Sequence, residues 1–167
     1  MNKKRYALTV IFMVFLQSAV FARIHIYEAT PNLYIAFIAA IAILYGPGWG
    51  GYTGLGLGLL EDLMYSEVLG VSALLYFLIG TAIGKALQNN EGRTVTGALM
   101  TVLATLFSGA SRTLYRRILR IAILPMRTLL IAAGLSMVIN AILFLLLIWI
   151  LRMYLKPRSV RRFSGFF

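Results

Sequence analysis

Cysteine is absent from the 167 residues, which excludes disulfide staples and thiolate metal sites alike. A single histidine, His25, cannot build a zinc centre without carboxylate help. Acids are scarce, with five Asp and Glu against sixteen Lys and Arg, for a formal net charge of +11. Only Glu61 and Asp62 fall inside a hydrophobic run. Neighbouring residues on a helix point about 100° apart, so these two do not share a proton as a catalytic dyad. No serine sits in G-x-S-x-G; Gly134-Leu135-Ser136 comes nearest and lacks the final glycine. The glycines of 46–58 lack the Lys and Ser/Thr of a phosphate loop and do not follow a strand as a dinucleotide fingerprint does. With no nucleophile–base set, no metal centre and no cofactor motif, the chain reads as a protein that performs no chemistry of its own.

What is abundant is hydrocarbon. Hydrophobic residues make up 60% of the chain and the mean hydropathy is +0.86, well above a soluble domain, where apolar usage including glycine is about 45–50%. About six stretches suit the bilayer, near Tyr6–Ala22, Leu33–Tyr45, Gly48–Tyr65, Val68–Gly84, Thr94–Ser111 and Thr128–Leu151. Short connections leave no room for a soluble catalytic domain. The expected architecture is all-α: one integral membrane domain, a bundle of about six transmembrane helices. Asn2–Arg5, Ala7–Leu16 and Val20-Phe21-Ala22 have the outline of a signal peptide, but the segment reads as a first helix that stays in place.

Charge sets the orientation. With six spans and a cytoplasmic N-terminus, the inner side holds Lys3, Lys4, Arg5, Lys85, Arg93, Arg152, Lys156, Arg158, Arg161 and Arg162 against the single acid Glu91. The outer side holds Arg23, Arg112, Arg116, Arg117, Arg120 and Arg127 with Glu28, Glu61, Asp62 and Glu67. Ten basic residues inside against six outside follow the positive-inside rule. Both termini are therefore expected in the cytoplasm, with residues 152–167 as a basic tail. Trp49, Trp149 and Tyr154 fall at the inner boundary, and Tyr27, Tyr34 and Tyr65 at the outer. Basic residues flanking spans speak for topology and anionic lipid rather than nucleic acid.

Gly50, Gly54, Gly58 and Asp62 recur every fourth residue. On a helix such positions share one face, and a face without side chains admits a second helix at backbone distance. The carboxylate at its end rarely faces acyl chains, so this face is expected to look inward at protein, with Asp62 and Glu61 hydrogen-bonding buried backbone or pairing with arginine. Gly80 and Gly84 form a second close-packing pair, and Pro47 between two glycines makes a tight turn. Gln17, Ser136 and Asn140 lie within spans and are expected to bond across helices. In Arg112–Arg127, the residues Arg112, Arg116, Arg117 and Arg120 share one helical face opposite Leu114, Tyr115, Ile118, Leu119 and Ala122, and Pro125 ends the pattern. This is the composition of a basic amphipathic helix lying at the outer interface.

The ordered set Pro31-Asn32-Leu33, Gly46-Pro47, Gly50, Gly54, Gly58-Leu59-Leu60, Asp62, Leu69-Gly70 and Gly80 resembles the rod shape-determining protein family MreD. The likeness is strongest over the central third; the first span and everything after Thr94 match in hydropathy. It implies a multi-pass bacterial inner-membrane protein, a non-enzymatic scaffold of the cell-elongation machinery that binds MreC. RodA, a class B penicillin-binding protein and MreB would lie in the same assembly, with membrane lipids around it. The resemblance also implies a six-helix fold similar to the substrate-binding components of energy-coupling factor transporters. An alternative follows from that similarity: a small-molecule uptake component with a pocket near Glu61, Asp62 and Asn140, and Ala36 and Ala40 as an A-x-x-x-A contact for a coupling subunit.

Overall fold

A 13-residue helix with no polar side forms the axis of the molecule. In the computed structural model, which describes residues 3–19, 29, 31–65, 69–87, 93–118 and 125–155, six helices follow one another. They are α1 (Lys3–Ala19), α2 (Leu33–Tyr45), α3 (Pro47–Tyr65), α4 (Val71–Ala86), α5 (Arg93–Ile118) and α6 (Met126–Leu155). Every residue of α2 from Leu33 to Leu44 is buried, because α1, α3, α4, α5 and α6 all pack against it. A helix that is apolar all round belongs in the centre of a bundle. Asn32 starts it by accepting the Ile35 N–H at 3.2 Å, a side-chain N-cap. Gly46, at φ +92, ends it in a backbone conformation that favours glycine, and Pro47 opens α3 as its first residue.

The outer surface is the reverse of a soluble protein's. Leu8, Ile11, Phe15, Leu99, Phe107, Val138, Ile142 and Trp149 are all exposed. Among the described residues two helices are long and apolar enough to cross a bilayer, through Thr94–Ser111 of α5 and the whole of α6. Only 28% of each of these stretches is buried inside the protein, so their apolar side chains point outward, as lipid contact requires and a soluble core helix would not allow.

Contacts at one end of the bundle bring the first and last described helices together. Arg5 donates to the Tyr154 carbonyl (3.4 Å), Tyr45 Oη to the Leu155 carbonyl (3.3 Å) and Arg152 to Thr94 Oγ1 (2.9 Å). Tyr6 Oη and Thr53 Oγ1 lie 2.6 Å apart, and the Tyr6 ring meets Trp49 edge-on at 5.6 Å. The start of α1, the α2–α3 junction, the start of α5 and the end of α6 therefore share one end, which is the geometry of six alternating segments.

The apolar stretch Thr94–Ser111 is the part of α5 suited to cross a bilayer, and the helix itself runs on to Ile118. Leu and Arg are good helix formers, so the fall in hydropathy at Arg112 does not end the hydrogen-bonded ladder. Residues 112–118 thus continue α5, while residues 119–124, Arg120 among them, lie outside the described part. Pro125 stands directly before α6: its carbonyl accepts the Leu129 N–H at 3.1 Å, and its missing N–H costs nothing there. The 156–167 tail also lies outside the described residues.

Candidate functional site

The glycines of α3 run down the contact with α4. Pro47 stands opposite Gly84, Gly50 opposite Gly80, Gly54 opposite Tyr76, and Gly58 opposite Ala73, in antiparallel register. A methyl group on Gly58 would come 2.5 Å from the Ala73 Cα and 2.6 Å from the Ser72 carbonyl oxygen. On Gly54 it would collide with the Tyr76 carbonyl, and on Gly50 it would lie 2.7 Å from the Gly80 carbonyl oxygen and 2.5 Å from the Ala42 Cβ. On Gly80 and Gly84 it would strike the backbones of Gly50 and Pro47. Main chain meets main chain along this seam, a closeness that packing in lipid rewards through dispersion alone. Gly56, on the other side of the same helix, has nothing within 4 Å.

Asp62 closes the seam. It is fully buried, and its carboxylate accepts from the Gly70 N–H (2.9 Å), the Ser72 N–H (3.1 and 3.2 Å to its two oxygens) and the Ala73 N–H (3.2 Å). Gly70 occupies the N-cap position of α4 at φ +99 and has no side chain to cap with. Asp62 therefore caps α4 from the neighbouring helix, satisfying orphan amides and setting a negative charge at the positive end of the helix dipole. Of the partners the sequence left open to Asp62, the structure places it on backbone.

Above the seam lies a node of polar side chains drawn from every helix, centred on Pro31-Asn32-Leu33. The Asn32 N–H donates to Asn140 Oδ1 of α6 (2.9 Å), and Asn140 Nδ2 donates to Thr105 Oγ1 of α5 (3.1 Å). Asn32 Nδ2 donates to Tyr76 Oη of α4 (2.5 Å), which donates in turn to Glu61 of α3 (2.6 Å). Gln17 of α1 accepts the Leu33 N–H (2.8 Å) and donates to the Pro31 carbonyl (3.3 Å). Asn140 and Tyr76 are fully buried.

The depth of this node explains its polarity. Asn140 stands thirteen residues from Arg127 and twelve from Arg152, about 20 Å from each charge at 1.5 Å per residue, hence near the middle of a ~30 Å hydrocarbon layer. At 13 residues α2 is only about 20 Å long, too short to cross alone, so its non-helical start lies at that depth too. Non-helical backbone there is tolerated only where protein satisfies it. Asn140 and Gln17 supply acceptors to the first two amides, and Asn32 caps the next turn.

Glu61, Asp62 and Asn140 were grouped by sequence as a possible polar site. The structure brings Glu61 and Asn140 into one network through Tyr76 and Asn32, and commits Asp62 separately to α4. Ser136 makes none of these bonds. Asn32 and Tyr76 were missed as site residues, although an Asn directly before a long apolar run is a helix-start signal. Ala36 and Ala40 correct an expectation: both are fully buried inside the bundle, because α2 is wrapped on all sides, so they offer no surface to a coupling subunit. The backbones of Arg112, Arg116 and Arg117 belong to the last turns of α5. Among the described residues no cluster of His, Asp or Glu suits a metal ion.

An all-helical bundle with an apolar perimeter and a backbone-tight seam is the architecture of a membrane protein. The family model of the rod shape-determining protein MreD matches residues 4–158, nearly the whole chain, and the protein belongs to that family. No curated protein and no solved structure matches it.

Proposed function

We propose that this rod shape-determining protein acts as a non-enzymatic scaffold that binds MreC and helps to position peptidoglycan synthesis, with RodA, a class B penicillin-binding protein and MreB in the same assembly. Family membership gives the role in cell shape. The observation that supports a scaffold is how the buried polar groups are spent. Asp62 caps α4, while Asn32, Asn140, Gln17 and Tyr76 bind helix to helix. These groups hold a rigid body and leave a broad apolar perimeter for other membrane segments. The same reading sets the seam glycines as positions that shape the platform rather than touch the partner.

Both termini are proposed to be cytoplasmic, since the basic asymmetry agrees with the meeting of Arg5 and Tyr154 at one end. At 26 residues α5 is about 39 Å long, more than the hydrocarbon needs. Counted from Arg93, that rise brings Arg112 to the far edge of the hydrocarbon layer and Arg116 and Arg117 past it, in keeping with a position at the outer interface. The direct test is co-purification of MreC with the full chain in mild detergent, together with depletion of the protein from rod-shaped cells. The proposal expects a stable complex and rounded cells. Rod-shaped cells after depletion, or purification without MreC at matched membrane levels, would overturn it.

A further inference from the structure

The first helix is pinned at both ends and stands off from α6 between the pins. At one end Tyr6 meets Thr53 and Trp49; at the other Gln17 holds the backbone of Pro31 and Leu33. These polar anchors fix α1 along α2 and prevent its collapse onto α6. What remains is a groove of about 780 Å³, walled by Leu8, Phe12 and Leu16 of α1 and by Leu143, Leu147 and Tyr154 of α6. Its walls are apolar; the hydroxyl of Thr9, which also lines it, is spent on the Arg5 carbonyl at 2.8 Å.

Length and charge select the occupant. From Leu143 to Tyr154 the groove runs eleven residues, about 16 Å, which matches half of a ~30 Å hydrocarbon layer and so the reach of one acyl chain from one leaflet. Charge then selects the headgroup. Arg5 lies four residues before Thr9, hence on the groove face, and its guanidinium sits 5.8 Å from the centre of the Tyr154 ring at the groove mouth. Its contacts are with Tyr154, and no carboxylate pairs with it among the described residues. Lys4 is exposed beside it.

We propose that the α1–α6 groove holds an acyl chain of an anionic phospholipid from the leaflet at the Arg5 end, with the phosphodiester on the Arg5 guanidinium. A headgroup bearing its own cation is disfavoured beside Arg5 and Lys4, while one with a net negative charge gains from both.

The full chain, purified in mild detergent, is equilibrated with equal amounts of phosphatidylglycerol and phosphatidylcholine of identical chains and examined by native mass spectrometry. Preferential retention of phosphatidylglycerol is expected. Arg5→Gln should lower that preference about five-fold, whereas Arg152→Gln, whose guanidinium faces Thr94, should leave it nearly unchanged. A phosphatidylglycerol with a photoreactive chain tests the place independently and needs no variant: it should label the 8–16 and 143–154 segments. Equal retention of both lipids, or labelling that falls elsewhere, would overturn the proposal. So would a disulfide between a cysteine placed at Leu146 and a co-purifying membrane protein, which would assign the groove to a partner helix.

Discussion

Two glycines two residues apart on α3 give a same-helix comparison with opposite expected signs. Alanine at Gly56 meets nothing within 4 Å, so its only effect is local, and replacing a mid-helix glycine should stabilise by about 0.5–1 kcal/mol. Alanine at Gly54 would drive its Cβ into the Tyr76 carbonyl oxygen, with the Tyr76 carbonyl carbon at 2.6 Å and the Phe77 nitrogen at 3.1 Å. All three are main-chain atoms, so no rotamer change relieves the clash. The helices must part by about 1 Å to restore ordinary contact, losing dispersion along the whole seam. Overpacking of this kind costs about 1–3 kcal/mol, and because the propensity gain is common to both glycines the two variants should differ by that amount. A methyl is thus costly at Gly54. Unfolding of both variants in detergent micelles, by titration with a denaturing surfactant, reads the difference. Equal midpoints for Gly54→Ala and Gly56→Ala would refute backbone contact at the seam.

Other outcomes follow from single groups. Asp62→Asn keeps one acceptor for the amides of α4 but loses the charge at the helix end, costing about 1 kcal/mol, whereas Asp62→Ala strands buried amides and costs about 2–4 kcal/mol in the same titration; equal losses would show the carboxylate is not a cap. Asn140→Leu leaves the Asn32 N–H without its acceptor at mid-membrane depth, and should destabilise by about 1–3 kcal/mol with faster hydrogen exchange at the start of α2; unchanged exchange would remove Asn140 from the node. Single cysteines at Arg116 and Arg120, in a chain with no other thiol, should react with impermeant maleimide in intact spheroplasts, and labelling only after permeabilisation would put this end of α5 inside. A reporter fused at Phe167 should be active only if it works in the cytoplasm; activity of an exported phosphatase there would reverse the orientation.

The seam was legible because glycine at every fourth position has one physical meaning on a helix, and the Asp that ends it could not face lipid. Its partner was harder to see. Tyr76 and Ala73 carry side chains yet present their backbones to Gly54 and Gly58, so no period in α4 beyond Gly80 and Gly84 announces the contact. The all-helical class and the polar character of Gln17 and Asn140 were readable from hydropathy. The depth of Asn32 was not, because it depends on how far α2 slides along α6, which is a tertiary fact. The apolar stretch Thr94–Ser111 was readable from hydropathy, while the continuation of α5 to Ile118 was not, because hydropathy falls at Arg112 and helix propensity does not. Ala36 and Ala40 looked like a contact motif because an A-x-x-x-A pattern has the same spacing whether the face is central or peripheral, and only the ring of five neighbours around α2 decides.

If the glycine seam shapes the platform that the elongation machinery uses, forcing it open must cost both partner binding and cell shape. The most direct measurement is the yield of MreC co-purified with Gly54→Leu and with Gly56→Leu, each normalised to protein in the membrane, alongside cell shape in strains carrying each as the sole copy. Gly54→Leu should insert yet lose MreC and rod shape, because leucine there forces α3 from α4; Gly56→Leu, which adds a side chain to an open face, should retain both. Wild-type yield and rod-shaped cells with Gly54→Leu would contradict the central claim.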